Sequence, residues 1–110
     1  MAKYLDFEWE FGTEKVYVTI SQYGNGNIYV GLGPCFCDIT VNITKLDKWE
    51  GAIDTPNVKE LEEFLLKNGI AIKTKETVKN GFNTYPVFRF SKSKLQQLNR
   101  KELQIYLDNI

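Results

Sequence analysis

The sequence predicts an α+β fold, a mostly antiparallel sheet of four or five strands packed on one face by about two helices. Three observations carry that expectation. Apolar and polar residues alternate through residues 1–45, the period of a half-buried strand. From residue 55 the apolar spacing lengthens to three and four, the period of a helix with one buried face. And 110 residues, 43% apolar and 25% charged, can bury a core as one domain over 1–110, which sets aside a disordered chain.

The strands are taken in chain order. Leu5, Phe7, Trp9 and Phe11 alternate with Asp6, Glu8 and Glu10. Gly12-Thr13 is then expected to turn the chain, because glycine supplies the positive φ of tight hairpins. Val16, Val18 and Ile20 should point inward, against Lys15, Tyr17, Thr19 and Ser21. Gly24-Asn25-Gly26-Asn27 is the plainest turn signal. Ile28, Val30 and Leu32 make a third inward stripe, which Gly33-Pro34 breaks. Cys35, Cys37, Ile39, Val41 and Ile43 make a fourth. Short turns between four strands predict an antiparallel meander with one covered face.

The second half supplies the cover. Asp54-Thr55-Pro56 reads as a helix start and Asn68-Gly69 as its C-cap, with Val58, Leu61, Phe64 and Leu65 on one face. Ile70–Ile72 reads as a short extended piece, and the polar stretch to Asn80-Gly81 as a loop. Tyr85–Phe90 is a fifth strand, with Pro86 favouring its start or an edge. The isomer of the Tyr85-Pro86 bond stays open. Capping boxes at Ser93–Gln96 and Asn99–Glu102 leave the tail as one helix to about Asp108 or two pieces meeting near Asn99.

Composition excludes several chemistries. With no histidine, neither a Ser-His-Asp or Cys-His pair nor an HExxH zinc site can be built. Equal numbers of acidic and basic residues, 14 each, give no whole-molecule pull toward nucleic acid or membrane. No apolar run is long enough to span a bilayer, and residues 1–8 lack the apolar core of a signal peptide. A cytoplasmic, reducing setting is the expectation, with no cofactor.

Three segments carry a resemblance. They are Gly33-Pro34 with Asp38-Ile39-Thr40-Val41-Asn42-Ile43; Ile53-Asp54-Thr55-Pro56-Asn57 with Glu63-Phe64 and Asn68-Gly69-Ile70-Ala71; and Gly81-Phe82-Asn83-Thr84-Tyr85-Pro86-Val87-Phe88-Arg89-Phe90. Together, over residues 33–98, they resemble a domain-of-unknown-function family of small proteins from mobile elements of Gram-positive bacteria. Its members carry similar T-V-N-L, D-T-N-N, E-F…N-G-L-A and G-F-C-T-Y-P strings. This chain departs at Pro56, and at Asn83 where a cysteine is frequent. The resemblance implies a small accessory protein, with no catalytic residues to carry over. By genomic habitat it implies an inhibitor of host defence, of the anti-CRISPR or anti-restriction type.

Four candidate sites follow from the residues. Cys35 and Cys37 could chelate a metal or exchange electrons, but their place in an inward stripe favours the core reading. Asp6, Glu8 and Glu10, with Asp38 nearby, could surround a hard cation, or simply be a solvated strand face. Tyr17, Tyr29 and Phe36 are expected on the outer sheet face, with Tyr4 and Tyr23 near the strand ends. Exposed aromatics are what protein interfaces enrich, so these three, with Asp6 and Glu8 beside them, are the expected contact surface for a host protein. Finally, residues 1–55 hold 4 basic and 8 acidic side chains and residues 56–110 hold 10 and 6. The basic excess at Lys73, Lys75, Lys79, Arg89, Lys92, Lys94, Arg100 and Lys101, with Phe82 and Tyr85 interleaved, is the alternative: a nucleic-acid surface. Gly24–Asn27 lacks the following helix of a phosphate loop. The expected function is therefore a non-enzymatic binding protein, plausible targets being a host defence nuclease first and nucleic acid second.

Overall fold

The structure, a computed structural model, describes residues 3–109. The alternating N-terminal segment forms the expected meander: β1 (Tyr4–Trp9), β2 (Gly12–Gln22), β3 (Ile28–Gly33) and β4 (Cys37–Asp38), antiparallel in that order. Phe7, Val16, Val18, Ile20, Ile28, Val30 and Leu32 are buried on its inner face. The first turn lies earlier than Gly12-Thr13. Trp9 pairs with Gly12, leaving Glu10 and Phe11 as the loop, and Gly12 itself takes the positive φ of 123°. Phe11 is consequently exposed rather than inward.

The expected fourth strand over 35–43 is broken, and the break creates a second sheet. The Ile39 N–H donates to the Val30 carbonyl of the first sheet, while its own carbonyl accepts from Asp54 N–H. The chain therefore leaves one sheet and enters the other at this residue. Cys35 is exposed at φ 51°, Ile43 is only half-buried, and Ile39 alone of the stripe is fully buried. Beyond it, β5 (Thr40–Val41), β6 (Glu50–Ile53), β8 (Asn83–Phe90) and β7 (Ala71–Asn80) form a four-stranded antiparallel sheet in that spatial order. The α+β class holds, with eight strands in two sheets among the described residues rather than four or five in one.

Two elements of the second sheet differ from expectation. β7 occupies the stretch read as a polar loop, because an edge strand needs few apolar residues. β8 lies between β6 and β7, so Pro86 is within an inner strand. It is tolerated because β6 pairs only with Val87–Arg89, and because the β7 register is irregular between Lys73 and Thr77 beside it. Among the described residues the cis peptide is Gly33-Pro34, and Tyr85-Pro86 is trans.

The helices are short. α1 (Leu61–Lys67) starts six residues after the expected entry. Asp54 instead accepts two hydrogen bonds from Asn57 Nδ2, at 3.2 and 3.0 Å, and holds residues 55–57 in a turn. Its exit is as read: Ile70 N–H bonds the Leu65 carbonyl and Gly69 N–H the Leu66 carbonyl. The tail takes the two-piece form, α2 (Lys92–Leu98) and α3 (Arg100–Asp108). Ser91 rather than Ser93 caps α2, accepting from Lys94 N–H at 3.2 Å.

Asn99 joins these helices to the first sheet. Its side-chain oxygen caps α3 by accepting from Glu102 N–H at 3.2 Å, and its Nδ2 donates to the Val18 carbonyl at 2.8 Å. Glu102 then accepts from Ile20 N–H at 2.8 Å. Pairing with β1 ends at Tyr17, so Asn99 and Glu102 serve the backbone groups of β2 that β1 does not reach. One hydrophobic cluster, from Phe7 and Val18 through Leu61 and Phe88 to Leu95 and Tyr106, holds both sheets and all three helices. Among the described residues the opposite face of the first sheet is left open, with Tyr4, Asp6, Glu8, Lys15 and Asp38 exposed on it.

Candidate functional site

The open face of the first sheet carries the site. Strand alternation puts Tyr4, Asp6 and Glu8 of β1, Lys15, Tyr17 and Thr19 of β2, Tyr29, Gly31 and Gly33 of β3, and Asp38 of β4 on that side. Tyr17 and Tyr29 do not stand away from the sheet. A Cβ on Gly33 would lie 2.6 Å from the Tyr17 ring, and one on Gly31 would collide with the Tyr29 hydroxyl. Both rings therefore lie across bare glycine backbone. Tyr4 packs edge-on against Tyr17 at 5.4 Å, and Tyr23 edge-on against Tyr29 at 5.6 Å. The Tyr29 hydroxyl donates to Asp38 Oδ1 at 2.6 Å. The result is a shallow depression of about 430 Å³ with aromatic walls and one carboxylate.

The electrostatics of this depression are negative. Burial, then the hydrogen bond and charge of Asp38, push the Tyr29 phenol up to about 12. Burial, then the charges of Asp38 and Asp54, push the Cys37 thiol up to about 11. Tyr23 is raised too, chiefly by burial. The two cysteines are free, with Cys35 exposed and Cys37 half-buried. At pH 8 a thiol raised this far stays almost wholly protonated. Iodoacetamide at that pH should therefore modify Cys35 well before Cys37, as peptide mapping would read, and equal rates would contradict this assignment.

Not every expected contact residue is free here. Phe36 lines the depression with Tyr17 and Tyr29, but its ring is anchored in the core, against Phe7 at 5.3 Å and Trp9 at 5.1 Å. The turn after Leu32, where Phe36 N–H bonds the Leu32 carbonyl, sets the ring at the rim of the sheet. Asp6 and Glu8 are on the open face but already paired, Asp6 with Lys15 and Glu8 with Lys67 of α1 at 2.8 Å. Glu10 pairs with Lys59 at 3.3 Å. These three carboxylates answer lysines, and no metal-holding group of acids, cysteines or histidines occurs among the described residues.

The basic segment is dispersed. Lys73 pairs with Glu62 of α1 at 3.1 Å, and Arg89 pairs at 3.3 Å with Glu50, which is 4% exposed. Lys75 and Lys79 remain on edge strand β7, where lysines also discourage pairing with other chains. Lys92 and Lys94 fall on α2, Arg100 and Lys101 on α3. Tyr85 is buried and cannot stack on a base. Phe82 is the reverse, fully exposed at the tip of the β7–β8 hairpin, beyond the reach of β6.

Sequence reasoning missed Gly31, Gly33 and the part of Asp38 at the tyrosines. Their signal was present: two glycines two residues apart within an apolar strand mark a close approach of something to the backbone. No curated protein and no solved structure matches the chain. A family model described as a domain of unknown function, DUF4313, matches residues 16–110, a span that contains Tyr17, Tyr29, Gly31, Gly33 and Asp38. The chain belongs to the DUF4313 family.

Proposed function

We propose that this protein is a non-enzymatic binding protein that works by protein–protein contact through the open face of the first sheet. The observation that carries the reading is the seating of Tyr17 and Tyr29 on Gly33 and Gly31. Rings already immobilised against backbone lose little freedom when a partner covers them, so their burial goes further toward affinity. Tyrosine also offers apolar area with a polar tip, the chemistry that dominates interface hot spots. The partner in this reading is a host protein in the cytoplasm, a defence nuclease that the protein inhibits for a mobile element. That finer assignment is supported by the motif resemblance and its genomic habitat alone. The role needs no cofactor.

The test is retention of a defence nuclease from host extract, with its DNA cleavage followed in parallel. The wild type should hold and inhibit the nuclease, and Tyr17→Ala/Tyr29→Ala should lose both. A double variant that binds and inhibits like the wild type would overturn the reading.

Nucleic-acid binding by the 73–101 segment is the second reading, favoured by one observation. Phe82 projects from the same hairpin arm that carries the exposed Lys75 and Lys79. Anisotropy against single- and double-stranded DNA and RNA would then show binding that weakens steeply with salt. Phe82→Ala should lower the affinity, and Lys75→Ala/Lys79→Ala should flatten the salt slope. No binding at low salt discards it.

A further inference from the structure

The depression between the two tyrosines contains an acid whose charge the fold does not answer. Asp38 is exposed, and one of its oxygens is fixed by the Tyr29 hydroxyl at 2.6 Å. Among the described residues no lysine or arginine pairs with it, whereas Asp6 and Glu8, on the opposite edge strand β1 of the same face, are each paired. Its charge is felt around it: it contributes to the raised Tyr29, Cys37 and Tyr23 values. Residues 4–38, which span the first sheet, hold 5 acidic side chains and 1 basic one.

Resting on the protein-contact reading, we infer that the depression walled by Tyr17 and Tyr29 and closed by Asp38 receives an arginine side chain of the partner. The geometry favours a flat cation. Gly31 and Gly33 let the Tyr29 and Tyr17 side chains lie low over the sheet, so a planar group can lie on the outer side of the rings. The walls are tyrosine rings, over which a guanidinium stacks. The second oxygen of Asp38 is open to an N–H of the same group, a charge-assisted bond that Tyr29 has already oriented. An ammonium holds its water more strongly and cannot stack, so lysine is the weaker fit at so open a site.

The experiment titrates the ¹⁵N-labelled full chain with acetyl-Gly-Arg-Gly-amide, using the citrulline peptide as neutral isostere and the lysine peptide as the second cation. The arginine peptide should shift the Gly31, Gly33 and Asp38 amides, the lysine peptide less, and the citrulline peptide not at all. Asp38→Asn, which keeps an acceptor for Tyr29, should weaken arginine binding by about tenfold or more. Equal response to citrulline, no response to arginine, or undiminished binding by Asp38→Asn would overturn the inference. Nuclease retention separates the two claims. If Asp38→Asn keeps the nuclease while Tyr17→Ala/Tyr29→Ala loses it, the platform stands and the arginine subsite falls. If both variants keep it, the platform itself falls.

Discussion

Asn99→Ala is expected to destabilise the protein by about 2–4 kcal/mol. Loss of a helix cap contributes about 1 kcal/mol. Leaving the buried Val18 carbonyl without its donor contributes about 1–3 kcal/mol more. Asn99 is 5% exposed and makes both bonds with one amide, so no water takes over either role easily. Urea unfolding would read the loss, with Ser91→Ala as the comparison. Ser91 only caps α2, and its removal should cost about 1 kcal/mol. A loss no larger than that for Asn99→Ala would show that the junction between α2 and α3 does not hold the β2 edge. The junction also bears on the site. Ile105 of α3 borders the open face beside Thr19, Ser21 and Tyr29, so loosening α3 removes one rim of the surface.

Gly31→Ala is expected to do the opposite, sparing the fold and disabling the face. The new methyl would collide with the Tyr29 hydroxyl, lie 2.8 Å from its Cζ and approach Thr19 Oγ1 at 2.9 Å; these are side-chain atoms and not backbone, so the Tyr29 ring must swing off its seat. Stability should change by less than about 1 kcal/mol, while partner affinity falls about tenfold or more. The displaced Tyr29 also loses its bond to Asp38. Its phenol should then titrate well below the wild-type value of about 12, toward the ordinary 10.0, which tyrosinate absorbance reads directly. The sign for stability follows. A folded-state value raised above the unfolded one stabilises the protein below the unfolded value, and this contribution is lost as pH rises from about 10 through about 12. The wild type should therefore lose more stability than Gly31→Ala over that window. Identical alkaline profiles would contradict the Tyr29–Asp38 contact.

The strongly periodic parts of the fold were legible. β1 to β3 follow two-residue alternation, and the capping pattern at Asn99 gave the break between α2 and α3 as one of two alternatives. The second sheet was hidden for particular reasons. β6 is Glu50-Gly51-Ala52-Ile53, buried along its whole length and without alternation to reveal it. Its acid is answered by Arg89, 39 residues away, which only the fold brings near. β7 is an edge strand of lysines, threonines and one acid, which composition cannot tell from a loop. Ile39 was read as one residue of a continuous stripe because its two backbone bonds, to separate sheets, leave no mark in side-chain pattern. At the site, Tyr17 and Tyr29 were found by strand parity alone. Phe36 lines the same depression, but from the turn that follows Gly33-Pro34, where strand parity does not reveal that its ring packs into the core. Asp38 and the glycines gain their meaning only from cross-strand register, in which Gly31 faces Asp38 on β4 and Thr19 on β2.

The central claim is that a partner protein lies on the open face of the first sheet. Photo-crosslinking reads this most directly, with a benzophenone side chain placed at Thr19, inside the depression, and separately at Phe82, on the hairpin tip. In extract from a nuclease-bearing host, the account predicts one discrete nuclease adduct from position 19, abolished by Gly31→Ala, and none from position 82. A nuclease adduct from position 82 with none from position 19 would contradict it.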